Sequence, residues 1–583
     1  MKLLISLGEI SQKTKNTFKR FPITLIWAII GTLFCLYVSE IEANEVFYGR
    51  VILTFILGVS WLIATRFLEE QFSNNKQWIF LITLVFLFFF YWHLPSDEAR
   101  LESIYITRFI LFFIAGHLLV LVAPFFFKWT KETYFNYLKT VFVAITRSLL
   151  FSLILYLGFV LALLAIKHLF SVDFDGKRFL QIFIVCIGIV NTWTYLADFP
   201  KDIHHQNKID YGKALEVLVK YILIPLVILY LIILYAYALK ITINWNLPKG
   251  WVSYLVIALS LLGFFIQILI NPIQKSINSR PINKFYPWFY YALLPLIVLL
   301  FIAIFRRISE YGVTENRYFV LVLALWILAI SLYMLFSKQK RMMILPLSLS
   351  ILALLVSFGF WGAFSVSTNS QLQQFQKVYS EIETNGFTTT LKKKNQLRSI
   401  VYYLSDKQQL HKVETVLGYS PTTTFKTDNK WQLQNRLLDS LNIKITDTKS
   451  NTRSYFTLDQ QDFVITTKGY DALKQIYLNN YHRDDQKIAS YKFALQKASN
   501  RITIWKNNDS IGVLDCSLLL QTLRNKENTH NINQKLMTLE KEFEQVKFKF
   551  IFQDISLYNE TEKKNTLSSA NVYVLLKEKE DAE

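Results

Sequence analysis

Long apolar runs separated by short polar loops fill the first 364 residues of the chain. A helix needs roughly 20 mostly apolar residues to cross the hydrocarbon core of a membrane. About eleven runs meet this requirement, and we predict a spanning helix in each. They centre on residues 21–38, 51–68, 78–94, 109–127, 149–170, 179–197, 222–241, 251–270, 289–305, 319–336 and 342–364. An amphipathic stretch at 134–145 is predicted to lie in the membrane interface before the fifth run.

The pattern changes after residue 364, where Gln, Asn, Thr and Lys replace the long runs of Leu, Ile and Phe. Helical spacing predicts helices at 371–384, 391–404, 406–417, 428–441, 516–523 and 534–545. A period near two predicts strands at 454–458, 462–467, 491–496, 501–506, 511–515, 546–555 and 572–576. This mixture indicates an α+β domain that buries a core of its own.

The predicted fold class is therefore an α-helical polytopic membrane domain at 1–364, followed by a soluble α+β domain at 365–583. Composition agrees, because 52% of the residues are hydrophobic and 48 are Phe, which lies outside the range of soluble proteins. A net charge of +20 is also found in proteins that bind nucleic acids. However, the basic residues lie beside apolar spans or are scattered in the tail, without the clustered pattern of a nucleic-acid interface. We expect no nucleic-acid partner, and we expect contact with the lipid bilayer.

Lys and Arg are concentrated in alternate loops, and this bias sets the orientation of membrane helices. The pattern predicts a cytoplasmic N-terminus. Loops on the opposite side carry fewer basic residues and several acids. With an odd number of spans, the domain at 365–583 is expected on the side away from the cytoplasm; one span more or fewer would reverse its side.

The end of the sixth run carries the best candidate site, because Asn191, Thr194 and Asp198 follow each other at i, i+3 and i+7. A helix places such residues on one stripe, facing neighbouring helices or a water-filled cavity. A purely structural interpretation stays open. In that case Asn191 and Thr194 hold helices together, and Asp198 lies at the cytoplasmic interface.

Two weaker candidates lie elsewhere in the membrane domain. His117 lies in the middle of the fourth run, where an ionisable group either serves a proton relay or is paired structurally. Asp173 and Asp175 form an acidic pair on a predicted outer loop and are weak candidates for a divalent cation. Such a pair has too few oxygens to hold a hard cation alone, so we expect no metal site. Cys35, Cys186 and Cys516 are too few and too dispersed for a cysteine zinc site.

No sequence motif for ATP, dinucleotide or common hydrolytic chemistry occurs in the chain. We therefore expect no cofactor, and the sequence does not decide whether the protein is an enzyme.

The two-part layout, the sequence Asn191-Thr192-Trp193-Thr194-Tyr195 and the tail sequence Gly469-Tyr470-Asp471 resemble one bacterial family. That family is catalogued as the domain of unknown function 4153 and is common in the Bacteroidota. The resemblance implies a bacterial inner-membrane protein and supplies no activity, cofactor or catalytic residues.

Three functions are compatible with these features. The first is an envelope binding, scaffold or signalling protein whose periplasmic domain contacts an envelope protein. The second is a transferase of lipid-linked sugars or phospholipid headgroups that uses outer acids such as Glu40, Glu42, Asp173 and Asp175, by analogy of architecture alone. The third is a secondary transporter built on the Asn191, Thr194 and Asp198 stripe. No inverted repeat supports this third hypothesis.

Overall fold

The computed structural model describes most of the chain. The described residues are 7–41, 46–72, 78–95, 103–200, 202–204, 209, 211–244, 251–274, 279–427, 429–445, 453–459, 463–479, 486–496, 499–507, 509–524, 532–561 and 564–579. They form two compact units. One unit comprises residues 1–380 and 396–440, and the other comprises residues 381–395 and 441–583.

Apolar helices dominate the first unit. It begins with an amphipathic helix, α1 (Leu7–Arg20), which is followed by α2 (Pro22–Ile41), α3 (Val46–Glu69), α4 (Trp78–His93), α5 (Ser103–Val120), α6 (Lys131–Phe170), α7 (Gly176–Val185) and α8 (Thr192–Ala197). The series continues with α9 (Lys213–Val217), α10 (Ile224–Asn244), α11 (Trp251–Ile270), α12 (Arg280–Tyr311), α13 (Glu315–Phe336) and α14 (Ile344–Leu355). Polar helices follow: α15 (Ala363–Thr384), α16 (Leu391–Asp406), α17 (Glu414–Leu417), α18 (Pro421–Phe425) and α19 (Lys430–Ser440).

Within the described residues, eight helical segments are long and apolar enough to cross a membrane. They are α2, α3, α6, the segment from α7 to α8, the segment from α9 to α10, α11, α12 and α13. The shorter apolar helices α4, α5 and α14 occupy the three remaining predicted runs. The predicted fold class, a polytopic helical membrane domain followed by an α+β domain, is confirmed.

The last predicted run is not one continuous helix. Helix α14 ends at Leu355, and Gly359 adopts φ +76°, a left-handed conformation that favours glycine and interrupts a helix. The indole N–H of Trp361 donates to the Leu355 carbonyl over 3.1 Å, and the Ala363 N–H donates to the Val356 carbonyl over 2.8 Å. These contacts satisfy carbonyls that the helix end leaves open.

The interfacial stretch predicted at 134–145 belongs to α6, which runs unbroken for 40 residues. Thr130 caps its start, since its side chain accepts a hydrogen bond from the Thr133 N–H. Towards the other end Leu169 and Phe170 are 77% and 72% exposed, as expected for side chains that face lipid.

The second unit is built mainly from two antiparallel sheets. Strand β3 (Arg453–Thr457), β10 (Val546–Thr561), β11 (Lys564–Glu578) and β4 (Ala472–Leu478) lie side by side in this order, and β9 (Thr538–Glu542) also pairs with β10. A four-stranded sheet contains β5 (Lys487–Ile488), β6 (Tyr491–Gln496), β7 (Arg501–Lys506) and β8 (Asp509–Asp515). Helix α20 (Ser517–Arg524) follows β8, and β1 (Thr388–Thr389) pairs in parallel with β2 (Lys444–Ile445).

The alternation of Lys and Phe at the start of β10 produces the core of this unit. Phe548, Phe550 and Phe552 are fully buried on one face, as the period of two requires. The helix predicted at 534–545 is wrong, because this stretch is a 3₁₀ turn at Gln534–Met537 followed by β9. Its apolar positions were too few to distinguish helical from strand spacing. The described part of the predicted strand at 462–467 is irregular, and β4 was not predicted.

Candidate functional site

The candidate stripe lies where a segment of π-helix passes into α8. The π-helix covers Cys186–Asn191, and such bulges are frequent at functional sites. Gly188 lies inside it, and a Cβ there would be 2.1 Å from the Thr32 hydroxyl oxygen of α2. The close approach of two helices therefore requires glycine at this position.

Thr194 and Asn191 differ in how their polar groups are satisfied. The Thr194 hydroxyl donates to the Val190 carbonyl over 2.7 Å and also lies 3.0 Å from the Asn191 carbonyl, which is common for Thr in membrane helices. The Asn191 Nδ2 is buried and has no hydrogen-bond partner among the described residues. The stripe thus contains one satisfied hydroxyl and one amide nitrogen without a partner among the described residues.

Asp198 joins three helices. Its Oδ1 lies 2.6 Å from Lys13 Nζ of α1, and its Oδ2 lies 3.0 Å from Arg147 Nη1 of α6. The Asp198 side chain is 11% exposed, whereas Lys13 and Arg147 are about half exposed. These contacts fit an ionic brace that ties the end of α8 to α1 and α6, and they correspond to the structural interpretation of Asp198.

A second ion pair involves residues that are near Lys13 and Asp198 in the sequence. Arg20 forms a bidentate pair with Glu70, with two N to O distances of 2.9 Å, and it donates to the Pro200 carbonyl over 2.8 Å. A bidentate pair between a guanidinium and a carboxylate requires a specific geometry of both groups. The Arg20 guanidinium also lies over the rings of Phe21 and Phe67 at 5.1 and 5.5 Å, which adds cation–π attraction.

His117 is not joined to the stripe by any contact within the described residues. Its Nδ1 is 2.8 Å from the Phe113 carbonyl one turn earlier in α5, and the two rings lie 4.1 Å apart. The proton-relay role of His117 stays a prediction.

The two acids of the loop between α6 and α7 have separate structural roles. Asp173 pairs with Lys167 at 2.5 Å, and the hydrogen bond and charge of this lysine lower the pKa of the Asp173 carboxyl. Asp175 caps α7 by accepting from the Lys177 N–H over 3.1 Å. Glu40 of α2 binds Arg178 at 3.0 Å, and Glu42 lies outside the described residues.

In the part of the chain that the structure describes, no three His, Cys, Asp or Glu side chains are grouped as metal ligands. All three cysteines are free. Burial, followed in size by the neighbouring Asp515 charge, raises the pKa of the Cys516 thiol to about 12, so this thiol is not a reactive thiolate at neutral pH.

Sequence reasoning missed a polar and aromatic surface in the second unit. We call it the tyrosine face: Tyr455 of β3, Asp554 of β10, Asn571 of β11, and Gln475 and Tyr477 of β4. Strand register puts these residues on one face, since Asn571 pairs with both Asp554 and Tyr477. Alternation in β4 was the available signal, and the strand was not recognised.

Comparison with known proteins places the membrane part in a family. Residues 25–396 match the family described as Domain of unknown function (DUF4153). An uncharacterized protein of Pasteurella multocida (strain Pm70) is 23% identical over 381 residues, which are 64% of this chain and 62% of that protein. The chain thus covers less than two thirds of this relative's length. No solved structure matches the chain.

The family match includes the sequence Asn191 to Tyr195 and ends before Gly469-Tyr470-Asp471, so the resemblance is carried by the membrane part. It extends over well more than half of the chain. The protein is a multi-pass membrane protein that belongs to the DUF4153 family.

Proposed function

We propose that this chain is an inner-membrane protein whose periplasmic α+β domain binds a protein of the cell envelope. In this proposal residues 1–364 form the membrane domain, the N-terminus is cytoplasmic, and residues 365–583 form the binding domain. The distribution of basic residues among the loops supports the orientation.

The tyrosine face is the observation that carries the binding function. Tyr455 and Tyr477 are 48% and 51% exposed. Between them the Asn571 amide donates to Asp554 over 2.7 Å. Gln475 donates over 2.6 Å to the Gln553 amide oxygen. The amide and carboxylate groups are thus held in fixed positions before any partner binds.

Such a surface has the composition of a protein interface. Tyrosine is enriched at interfaces and in their energetic centres, because its ring buries a large area while its hydroxyl bonds at the edge. Burial, and after it the charge of Asp554, raises the pKa of the Tyr455 hydroxyl. Tyr455 therefore stays neutral and able to donate at physiological pH.

Site-specific photocrosslinking in intact cells tests this function. A photoreactive amino acid at Tyr477 is expected to yield an adduct with one defined envelope protein, identified by mass spectrometry. The Tyr455→Ala substitution, made in the same chain, is expected to reduce this adduct at least tenfold, since truncation of a central interface tyrosine costs about 2 kcal/mol or more.

Lys487 supplies the matched control, because it is exposed on the other, four-stranded sheet of the same unit. The same photoreactive group at Lys487 is expected to give no such adduct. Equal adducts from both positions, or an adduct insensitive to Tyr455→Ala, would contradict the assignment of the tyrosine face.

A further inference from the structure

A cationic cavity lies within the first unit, beside the end of α5 that carries Arg108. It has a volume of about 490 Å³, which is in the range of small-ligand sites. Arg108, Lys407 and Lys412 line it, together with the polar side chains of Thr368 and Asn369. No carboxylate is found among its described lining residues.

The three cationic side chains differ in how far nearby groups neutralise their charge. Lys407 pairs with Glu315 at 3.3 Å, and both side chains are about 15% exposed or less. Lys412 has no ion-pair partner within the described chain. Arg108 donates from Nε to the Ser357 carbonyl over 3.2 Å and contacts His93 through Nη1. Arg108 Nη2 has no hydrogen-bond partner among the described residues. The cavity thus keeps excess positive charge and donors.

Exposed aromatic side chains lie at and beside the mouth of this cavity. Phe360, which lines the cavity, is 81% exposed, and the adjacent Trp361 is 48% exposed. Both belong to the irregular segment between α14 and α15. Aromatic residues gather at the boundary between hydrocarbon and water, so exposed rings in this segment fit contact with lipid headgroups. The Arg108 guanidinium itself lies over the Phe364 ring at 4.9 Å.

We propose that this cavity binds the phosphate of a membrane lipid. Arg108 and Lys412 contact the phosphate oxygens, since Arg and Lys form strong charge-assisted hydrogen bonds with phosphate. Lys407 is neutralised by Glu315 and adds no net charge, and Phe360 contacts the start of the acyl chains. This inference rests on the first unit alone and is independent of the tyrosine face.

Native mass spectrometry of the full-length protein, gently solubilised and titrated with lipid, tests the site. Dioleoylphosphatidic acid is expected to bind at one molecule per chain. Dioleoylglycerol has the same chains without the phosphate and is expected to bind at least tenfold more weakly. The Arg108→Gln and Lys412→Gln substitutions are each expected to weaken binding of the phosphatidic acid about tenfold.

Lys430→Gln is the matched control, because it removes the same charge from an exposed position of α19 outside the cavity. Its affinity for the phosphatidic acid is expected to equal that of the unmodified chain. Equal affinity of Lys412→Gln and Lys430→Gln would overturn the proposal, even where Arg108→Gln fails to fold.

Inorganic phosphate distinguishes a lipid site from a site for the free anion. Competition by inorganic phosphate is expected only at concentrations at least 100-fold above that of the lipid. The Phe360→Ser substitution is expected to lower the affinity for the lipid and to leave the affinity for inorganic phosphate unchanged. Displacement by phosphate at concentrations equal to those of the lipid would overturn the lipid assignment.

Discussion

Asp198 is the residue through which α1, α6 and α8 are held together, and its two ion pairs set the cost of removing it. In Asp198→Asn, Lys13 and Arg147 both lose a carboxylate that is 11% exposed. The cations are half exposed, so we expect a loss of about 1–2 kcal/mol, between the values for surface and buried pairs. Thermal unfolding of the solubilised protein measures this as a lower melting temperature.

A double-mutant cycle separates this brace from a general effect of the substitution. Lys13→Ala is expected to destabilise the unmodified chain and to have almost no effect in the Asp198→Asn background. Fully additive effects of the two substitutions would show that Lys13 and Asp198 are not coupled.

Glu540 provides a pH-dependent contribution to the second unit. It lies 3.1 Å from Lys547 and 3.3 Å from Lys549. The hydrogen bond from Lys547 is the largest cause that lowers the pKa of the Glu540 carboxyl. A carboxyl pKa that is lower in the folded state stabilises the fold above the ordinary value of about 4.3, and this stabilisation is lost as pH falls further.

We therefore expect Glu540→Gln to destabilise β9 by about 0.5 kcal/mol at pH 7, the size of an exposed pair. The difference is expected to shrink as the pH is lowered below about 4. Hydrogen exchange of the β9 amides measures the opening free energy at each pH, after correction for intrinsic rates. A difference that persists unchanged at low pH would exclude the ion pairs as its cause.

At the scale of elements, close packing between α2 and the π-helix depends on the absence of a side chain at Gly188. In Gly188→Ala the added methyl would lie 2.1 Å from the Thr32 hydroxyl oxygen, so the helices must move apart. We expect a loss of about 1–3 kcal/mol, typical of overpacking, measured by thermal unfolding.

Gly158 of α6 offers the control, because a Cβ there meets nothing within 4 Å. Gly158→Ala is expected to be neutral or slightly stabilising, since Ala is the better helix former. The Thr32→Ala substitution is expected to restore part of the stability lost in Gly188→Ala. An equal effect of both glycine substitutions would indicate a loss of backbone freedom rather than a clash.

The elements that were predicted correctly are those with a strong local signal. Spanning helices are apolar over their whole length, and the Lys and Phe alternation of β10 is visible within ten residues. The π-helix at Cys186–Asn191 and the break at Gly359 have no such signal, because backbone conformation there follows from packing. The stretch that forms β9 has few apolar positions, and it is a strand because it pairs with β10.

The candidate sites show the same limit at longer range. The Asn191, Thr194 and Asp198 stripe was found from spacing in one helix. Lys13 binds Asp198 from 185 positions away along the chain, and no pattern near either residue indicates this pair. Contacts between distant elements therefore had to come from the structure.

At the scale of the whole molecule, the side of the C-terminal domain depends on how many helices cross the membrane. The bias of Lys and Arg together with eleven crossings predicts a periplasmic domain. Helix α14 is the shortest of the eleven predicted crossings, because its 12 residues rise only about 18 Å, less than the roughly 30 Å of the hydrocarbon core. If α14 crosses, the irregular aromatic segment after it has to complete the crossing.

Cysteine labelling in intact spheroplasts measures this orientation. In a chain whose three cysteines are replaced by serine, we expect Lys430→Cys to react with a membrane-impermeant maleimide added outside. Lys131→Cys, at the start of α6, is expected to react only after the membrane is opened. Protection of both positions would mean that α14 turns back without crossing, and the tyrosine face would then need a cytoplasmic partner. Labelling of Lys430→Cys alone means an odd number of crossings between residues 131 and 430, with the basic loop at Lys131 inside.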